Sequence, residues 1–190
     1  MSGGYDNRIA GQEARGNWTH SWTGRPYFPF DPRPEDVFIE DIAQALGKIC
    51  RYNGMCRRFY SVAEHSVHVS HIVPPEHAFA GLMHDAAEAY VGDVRRPFKY
   101  KLHGYREIEF LNWQAVATRF NLPIMQPDCV TAADRAILLT EREAVMNPVP
   151  HDWNVAGEPA DIEIHCWGPE SATRMFAARF TELTGEAVAI

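Results

Sequence analysis

The sequence has no pair of cysteines at Cys-x-x-Cys spacing. Its four cysteines, Cys50, Cys56, Cys129 and Cys166, are scattered, which argues against a zinc knuckle or a thioredoxin-type motif. It has no basic excess either. The net charge is −7, whereas nucleic-acid binders present a basic face, so no nucleic acid polymer is expected as a partner. A small anionic substrate in a locally basic pocket remains compatible with that balance. No apolar run approaches the roughly 20 residues that span a bilayer. The opening Met-Ser-Gly-Gly-Tyr-Asp-Asn-Arg lacks the apolar core of a secretory leader. The expectation is a cytoplasmic chain with reduced thiols, touching no membrane. Internal repeats, low-complexity tracts and a second-domain boundary are also missing.

What is present is enough for one core. The chain has 190 residues, 46% of them hydrophobic and 23% charged, an ordinary balance for a single globular domain. Residues 1–17 are polar and Gly-rich, and predict a flexible tail. The domain then covers 18–190, with its metal-site core over about 39–146. Residues 18–30 alternate around Thr23-Gly24-Arg25 and predict a small hairpin. Ile39, Ile42, Ala43, Leu46 and Ile49 recur at helical spacing, placing a helix over 39–50. Ser61-Val-Ala-Glu64 predicts a capping box opening a helix over 62–73. Further helices are expected over 76–91, 105–120 and 129–146, with a last one after Ser171. Residues 92–103 predict a loop, and 162–165 a short strand. The sum is an all-α bundle with a β-hairpin and minor β additions.

One stretch stands out, Gly81-Leu-Met-His84-Asp85-Ala-Ala-Glu88-Ala-Tyr-Val-Gly-Asp93. Leu82, Met83, Ala86, Ala87 and Tyr90 describe a buried helix, yet three ionisable groups sit among them. Burying an unpaired charge is expensive, so these groups need a partner, and a metal ion supplies one. Adjacent His84 and Asp85 leave a helix about 100° apart, and Glu88 lies one turn beyond His84. Two more ligands come from elsewhere: His65, in Ala63-Glu-His65-Ser, and Asp134, in Ala133-Asp134, both with apolar neighbours. A set of His65, His84, Asp85 and Asp134 mixes imidazole with carboxylate. It suits one divalent transition metal such as Mn²⁺, Co²⁺, Fe²⁺ or Zn²⁺, with positions left for water. Structural zinc sites tend instead to be closed and thiolate-rich.

Ala63-Glu-His65-Ser, His84-Asp85-Ala-Ala-Glu88 followed by Gly92-Asp93, and Ala133-Asp134 resemble, in order and spacing, the three metal-binding motifs of the HD-domain phosphohydrolases. The nearest branch holds the 5′-deoxynucleotidases and small phage-associated deoxynucleotide phosphohydrolases. The resemblance runs from about Ile39 to Ala144. It implies an HD-type helical bundle, metal ligation by His65, His84, Asp85 and Asp134, and a catalytic acidic pair at Glu88 and Asp93. It also implies that Arg51 and Tyr52, just after the first helix, hold a nucleotide. A water activated by the metal would attack phosphorus, and a second ion such as Mg²⁺ could enter with substrate. An oligomer of two or more copies is expected by the same resemblance.

Charge gathering on the phosphate in the transition state calls for nearby cations. Arg96 and Lys99, in a cluster with Arg95 and Lys101, supply them or else form a solvated loop. Thr131 stands where relatives often carry a lysine, which favours a shorter phosphate chain. Two substrates compete: a (deoxy)nucleoside 5′-monophosphate, cleaved to nucleoside and phosphate, and a deoxynucleoside triphosphate, cleaved to deoxynucleoside and triphosphate. A non-catalytic, metal-stabilised nucleotide-binding module is the reading from another class. His68 and His71 are expected outside the first metal's ligands. Trp18, Trp22, Tyr27, Phe28 and Phe30 are expected to pack in the core or between copies, and Cys50 and Cys56 to be buried apolar residues.

Overall fold

The computed structural model describes residues 6–190. Strands β1 (Thr19–His20) and β2 (Pro26–Tyr27) pair antiparallel, Thr19 opposite Tyr27. Eight α-helices follow among the described residues: α1 (Ile39–Lys48), α2 (Val62–Ile72), α3 (Ala78–Met83), α4 (Glu88–Val91), α5 (Arg96–Lys99), α6 (Tyr105–Arg119), α7 (Asp128–Val145) and α8 (Pro169–Thr184). The expected mostly helical fold with one small hairpin is what forms. Among the described residues no helix is long and apolar enough to cross a membrane.

The main core joins Ile42, Ala43 and Leu46 of α1 to Val62, Ala63 and Val67 of α2. Leu82 and Met83 of α3, Trp113 and Val116 of α6, and Phe176 and Phe180 of α8 complete it. A second cluster packs Val69 and Val73 against Val130, Ala133 and Ile137. That cluster lays α7 on α2 and so sets the carboxylates of α7 opposite His65. Gly81 permits the closest approach of α3 to α2. A Cβ there would lie 3.1 Å from Ser70 Cα, tighter than packed atoms tolerate without movement.

The structure departs from the sequence reading in several places. The single helix expected over 76–91 is interrupted at 84–87. Its hydrogen bonds tighten to the three-residue repeat, Ala86 N to Met83 O at 2.9 Å and Glu88 N to Asp85 O at 2.9 Å. The cause is competition for carbonyls. His84 Nδ1 donates to Gly81 O at 2.8 Å, and the Gln126 amide donates to His84 O at 2.8 Å. A chain partner 42 residues away is invisible to periodicity.

The capping box forms only in half. Ser61 Oγ accepts from Glu64 N at 3.0 Å, but the Glu64 carboxylate does not turn back. It accepts from His165 N, Cys166 N and Trp167 N at 2.8, 2.8 and 2.6 Å. Cys166 has φ of 58°, and the alternation it introduces makes the backbone concave towards an anion. Residues 162–165 therefore form no strand. In α6 Leu111 is exposed, while Asn112 and Trp113 are buried. The loop expected over 92–103 contains α5.

Residues 1–5 of the expected tail lie outside the described residues. Within 6–17, Arg15 is buried, stacked over Phe28 at 3.9 Å and paired with Asp31 at 2.8 Å and with Asp36, so this part is anchored rather than loose. Of the aromatic start, Tyr27 and Phe28 enter the core, while Trp22 and Phe30 are exposed.

Candidate metal centre

Three helical segments deliver the site. Ser61 fixes the start of α2 and puts His65 in its first turn, wholly buried. The tightened turn after α3 presents His84 and Asp85. The stripe Val130, Asp134, Ile137, Glu141 runs along one face of α7, two apolar side chains alternating with two carboxylates.

At the centre, His65 Nε2 lies 3.1 Å from His84 Nε2 and 3.4 Å from Asp134 Oδ1. The ligating atoms of His65, His84 and Asp134 all fall within 4.8 Å of one another, a group that could hold a metal ion. Asp85 Oδ2 lies 3.2 Å from His84 Nε2 and 3.5 Å from His65 Nε2. It meets both imidazoles, and it also faces Arg51 Nη1 at 3.7 Å.

The donor chemistry fits a cation. His65 Nδ1 is engaged by Glu141 Oε1 at 2.6 Å, and His84 Nδ1 by Gly81 O at 2.8 Å. Both partners accept, so both Nδ1 atoms donate and both Nε2 lone pairs are left facing each other. Two lone pairs and two carboxylates at such separation repel unless positive charge lies between them. Burial and the Arg51 charge lower the His65 pKa, but Glu141 and Asp134 outweigh them and lift it to about 9. Burial opposes ionisation of Asp134, yet the His65 hydrogen bond holds it at about 2. Asp85 is likewise held well down against burial, His84 being the main cause. A proton or a divalent ion would satisfy the same demand.

Sequence reasoning missed the wall behind His65. Glu141 is wholly buried and accepts from Tyr60 OH at 2.8 Å, from Arg51 Nη2 at 3.0 Å, from the Tyr52 hydroxyl and from His65. Burial works against its charge, but Arg51 and then His65 bring its pKa down to about 2. Its position two turns after Asp134 on the same face was the signal available. Arg51 and Tyr52, expected to hold a nucleotide, both bind Glu141, and Arg51 also faces Asp85 at 3.7 Å. Their turn is strained: Tyr52 and Asn53 have φ of 57° and 55°, each costing about 1–3 kcal/mol that the surroundings must offset.

In front of the centre lies a pocket of about 320 Å³ lined by His84, Asp85, Glu88, Lys99, Phe110 and Trp113, among others. Glu88 is buried, and its Oε2 has no hydrogen-bond partner. Burial first, then Asp85 and Asp93, push its carboxyl well above the usual range. Asp93 is also raised, mainly by burial. Gly92, at φ of 85°, ends α4 and turns the chain to Asp93. Lys99 Nζ binds Glu109 Oε1 at 2.6 Å and stands 3.9 Å from Glu88 Oε1. Arg96 reaches Asp134 Oδ2 at 3.3 Å, so the expected basic cluster sends two of its members to the site. Arg95 lies over Phe98, and Lys101 is exposed. His68 stacks on Trp167 at 5.7 Å, and His71 is exposed. Neither belongs to the central group, as expected.

Fold and site together define a mostly helical protein with a His/His/Asp group able to hold a metal ion. The chain is 35% identical over 167 residues to the protein described as uncharacterized protein YfdR of Escherichia coli (strain K12), covering 86% of this chain and 94% of that one. It is 36% identical over 129 residues to an uncharacterized protein of Rhodobacter capsulatus, covering 63% of this chain and 66% of the relative. The chain belongs to the YfdR family. No family model matches it.

Proposed function

We propose that the protein is a metal-dependent phosphohydrolase of the HD class, with an HD-type bundle, acting on a (deoxy)nucleoside 5′-monophosphate to give nucleoside and phosphate. The observation that supports this most is the convergence of two bare imidazole nitrogens with Asp85 and Asp134, next to a pocket walled by an acid that holds its proton. The mixed nitrogen and oxygen set suits Mn²⁺, Co²⁺, Fe²⁺ or Zn²⁺. When bound, such an ion supplies a Lewis acid and lowers the pKa of a water.

The residues around the pocket divide the remaining work. Glu88, kept protonated by burial and by its carboxylate neighbours, gives a proton to the departing nucleoside oxygen. Asp93 orients the incoming water from the other end of the Gly92 turn. Lys99 stands between Glu88 and Glu109 and meets charge developing on the phosphate. Arg96, more than half exposed at the mouth beside Asp134, adds a second cation. Phe110 and Trp113 give the pocket an apolar wall for the nucleoside.

Cleavage of a deoxynucleoside triphosphate is the second reading. It is disfavoured because Arg51 is committed to Glu141 and Lys99 to Glu109, leaving few cations for a long phosphate chain. The decisive experiment offers dAMP and a panel of nucleoside mono- and triphosphates in Mn²⁺ or Co²⁺, counting nucleoside, phosphate and triphosphate. Phosphate release from monophosphates is expected. Triphosphate release would select the second reading, and no turnover with metal retained would make the protein a non-catalytic binding module.

A further inference from the structure

Cys50 and Cys56 flank the Arg51–Gly54 turn, and their sulfurs lie 3.5 Å apart. Both are partly buried free thiols. A disulfide needs about 2.05 Å between sulfurs, so a shift of roughly 1.5 Å would close the pair. The turn between them contains three successive residues of positive φ, Tyr52, Asn53 and Gly54, and it delivers Arg51 and Tyr52 to Glu141. Its Cys50–Arg51 end is held to the start of α2 by backbone contacts, Arg51 N to Tyr60 O at 2.9 Å and the Cys50–Ser61 bridge. The dithiol is therefore built across the base of the segment that closes the wall behind His65.

We propose that Cys50 and Cys56 are a reversible redox pair whose disulfide staples this turn. The co-reactant is a low-molecular-weight disulfide such as oxidised glutathione. One cysteine thiolate attacks it, the glutathione sulfur–sulfur bond breaks, and one glutathione thiolate leaves. The second cysteine loses its proton to solvent and attacks the protein sulfur of the mixed disulfide, expelling the other glutathione thiolate. Two protein thiols are oxidised, and one glutathione disulfide is reduced to two thiols. The second step is favoured because the thiol is already adjacent, at an effective concentration of about millimolar or more. Burial, then the Cys50 sulfur, push the Cys56 thiol up to about 11, so the pair rests as a dithiol until an oxidant engages it.

This inference does not depend on the phosphohydrolase reading, and its test uses no substrate. The full chain is incubated with oxidised glutathione and then peptide-mapped. The expected product is a cross-link between Cys50 and Cys56 with a loss of about 2 Da, reversed by dithiothreitol. Cys129 and Cys166 serve as internal controls. Amide hydrogen exchange across the Arg51–Gly54 turn should slow about tenfold in the oxidised form. Cys56→Ser should leave Cys50 as a persistent glutathione adduct. Stable adducts on both cysteines of the unsubstituted chain, or unchanged exchange across the turn after oxidation, would overturn the proposal.

Discussion

Glu141 and Glu88 are both buried carboxylates within one site, and they end in opposite states. Behind His65, Glu141 is met by Tyr60, Tyr52, Arg51 and His65, and its pKa falls to about 2. In front, Glu88 has one bare oxygen and a lysine no nearer than 3.9 Å, and its pKa rises. Burial acts the same way on each. The number of donors decides the outcome, because a buried charge survives only when hydrogen bonds and opposite charge replace its water. The back wall is thus a fixed negative charge that orients an imidazole, and the front wall is a carboxyl whose ionisation burial disfavours.

Removing the back wall should have the largest effect. Glu141→Ala leaves Arg51 and two tyrosine hydroxyls buried without their acceptor, and should cost about 3–5 kcal/mol of stability. His65 would lose its orienting partner, so Mn²⁺ retained after desalting should fall as well, as elemental analysis would read. The pH dependence has a definite sign. Glu141 ionises more easily folded than unfolded, its pKa going from 4.5 to about 2. Its contribution is fully present above 4.5 and is lost as pH falls towards 2. Denaturant melts of Glu141→Ala should therefore lose the steep acid limb shown by the unsubstituted chain.

The front wall should respond in the other direction. Glu88→Gln keeps the shape and removes the proton, so turnover should drop by about 10²–10⁴-fold with the metal still bound. Glu88 has its pKa raised on folding. Its favourable contribution is present below 4.5 and is lost as pH rises through the folded value. At pH 8 the substitution should consequently raise the thermal midpoint by about 2–4 °C, and at pH 5 by less. Stability unchanged at both pH values would show that Glu88 is solvated rather than held neutral.

How much of this was legible in the sequence follows from which interactions are local. His65, His84 and Asp134 each sit among apolar neighbours on a helix, so their inward direction could be read from spacing alone, and the structure brings them together. Glu141 carried the same signal two turns along α7, but a single glutamate in a helix resembles a surface residue until its four donors are known. They come from three places in the chain. Glu64 was assigned to its own helix end because that is the nearest donor. Three backbone amides about a hundred residues later hold it instead. The break at 84–87 likewise depends on Gln126. Local pattern gave most of the helices and the inward direction of His65, His84 and Asp134; the hydrogen-bond partners that tune them are long-range, and no spacing rule encodes them.

The comparison is sharpened by its mildest perturbation. Tyr60 is fully buried and donates only one of the four contacts on Glu141. Tyr60→Phe keeps the ring and its packing, deletes that donor and leaves the His65, Arg51 and Tyr52 contacts in place. If the four donors act independently, the loss should be about 1 kcal/mol, with metal retention unchanged, because the His65 Nδ1 hydrogen bond does not need Tyr60. If the network is cooperative, the remaining bonds weaken together and the cost approaches that of Glu141→Ala. A double substitution, Tyr60→Phe with Glu141→Ala, tests the premise common to both cases: it should cost no more than Glu141→Ala alone when the hydroxyl acts only through the carboxylate. A further loss in the double variant would show that the Tyr60 hydroxyl supports the wall by a route other than Glu141, and that donor number alone does not distinguish the two glutamates.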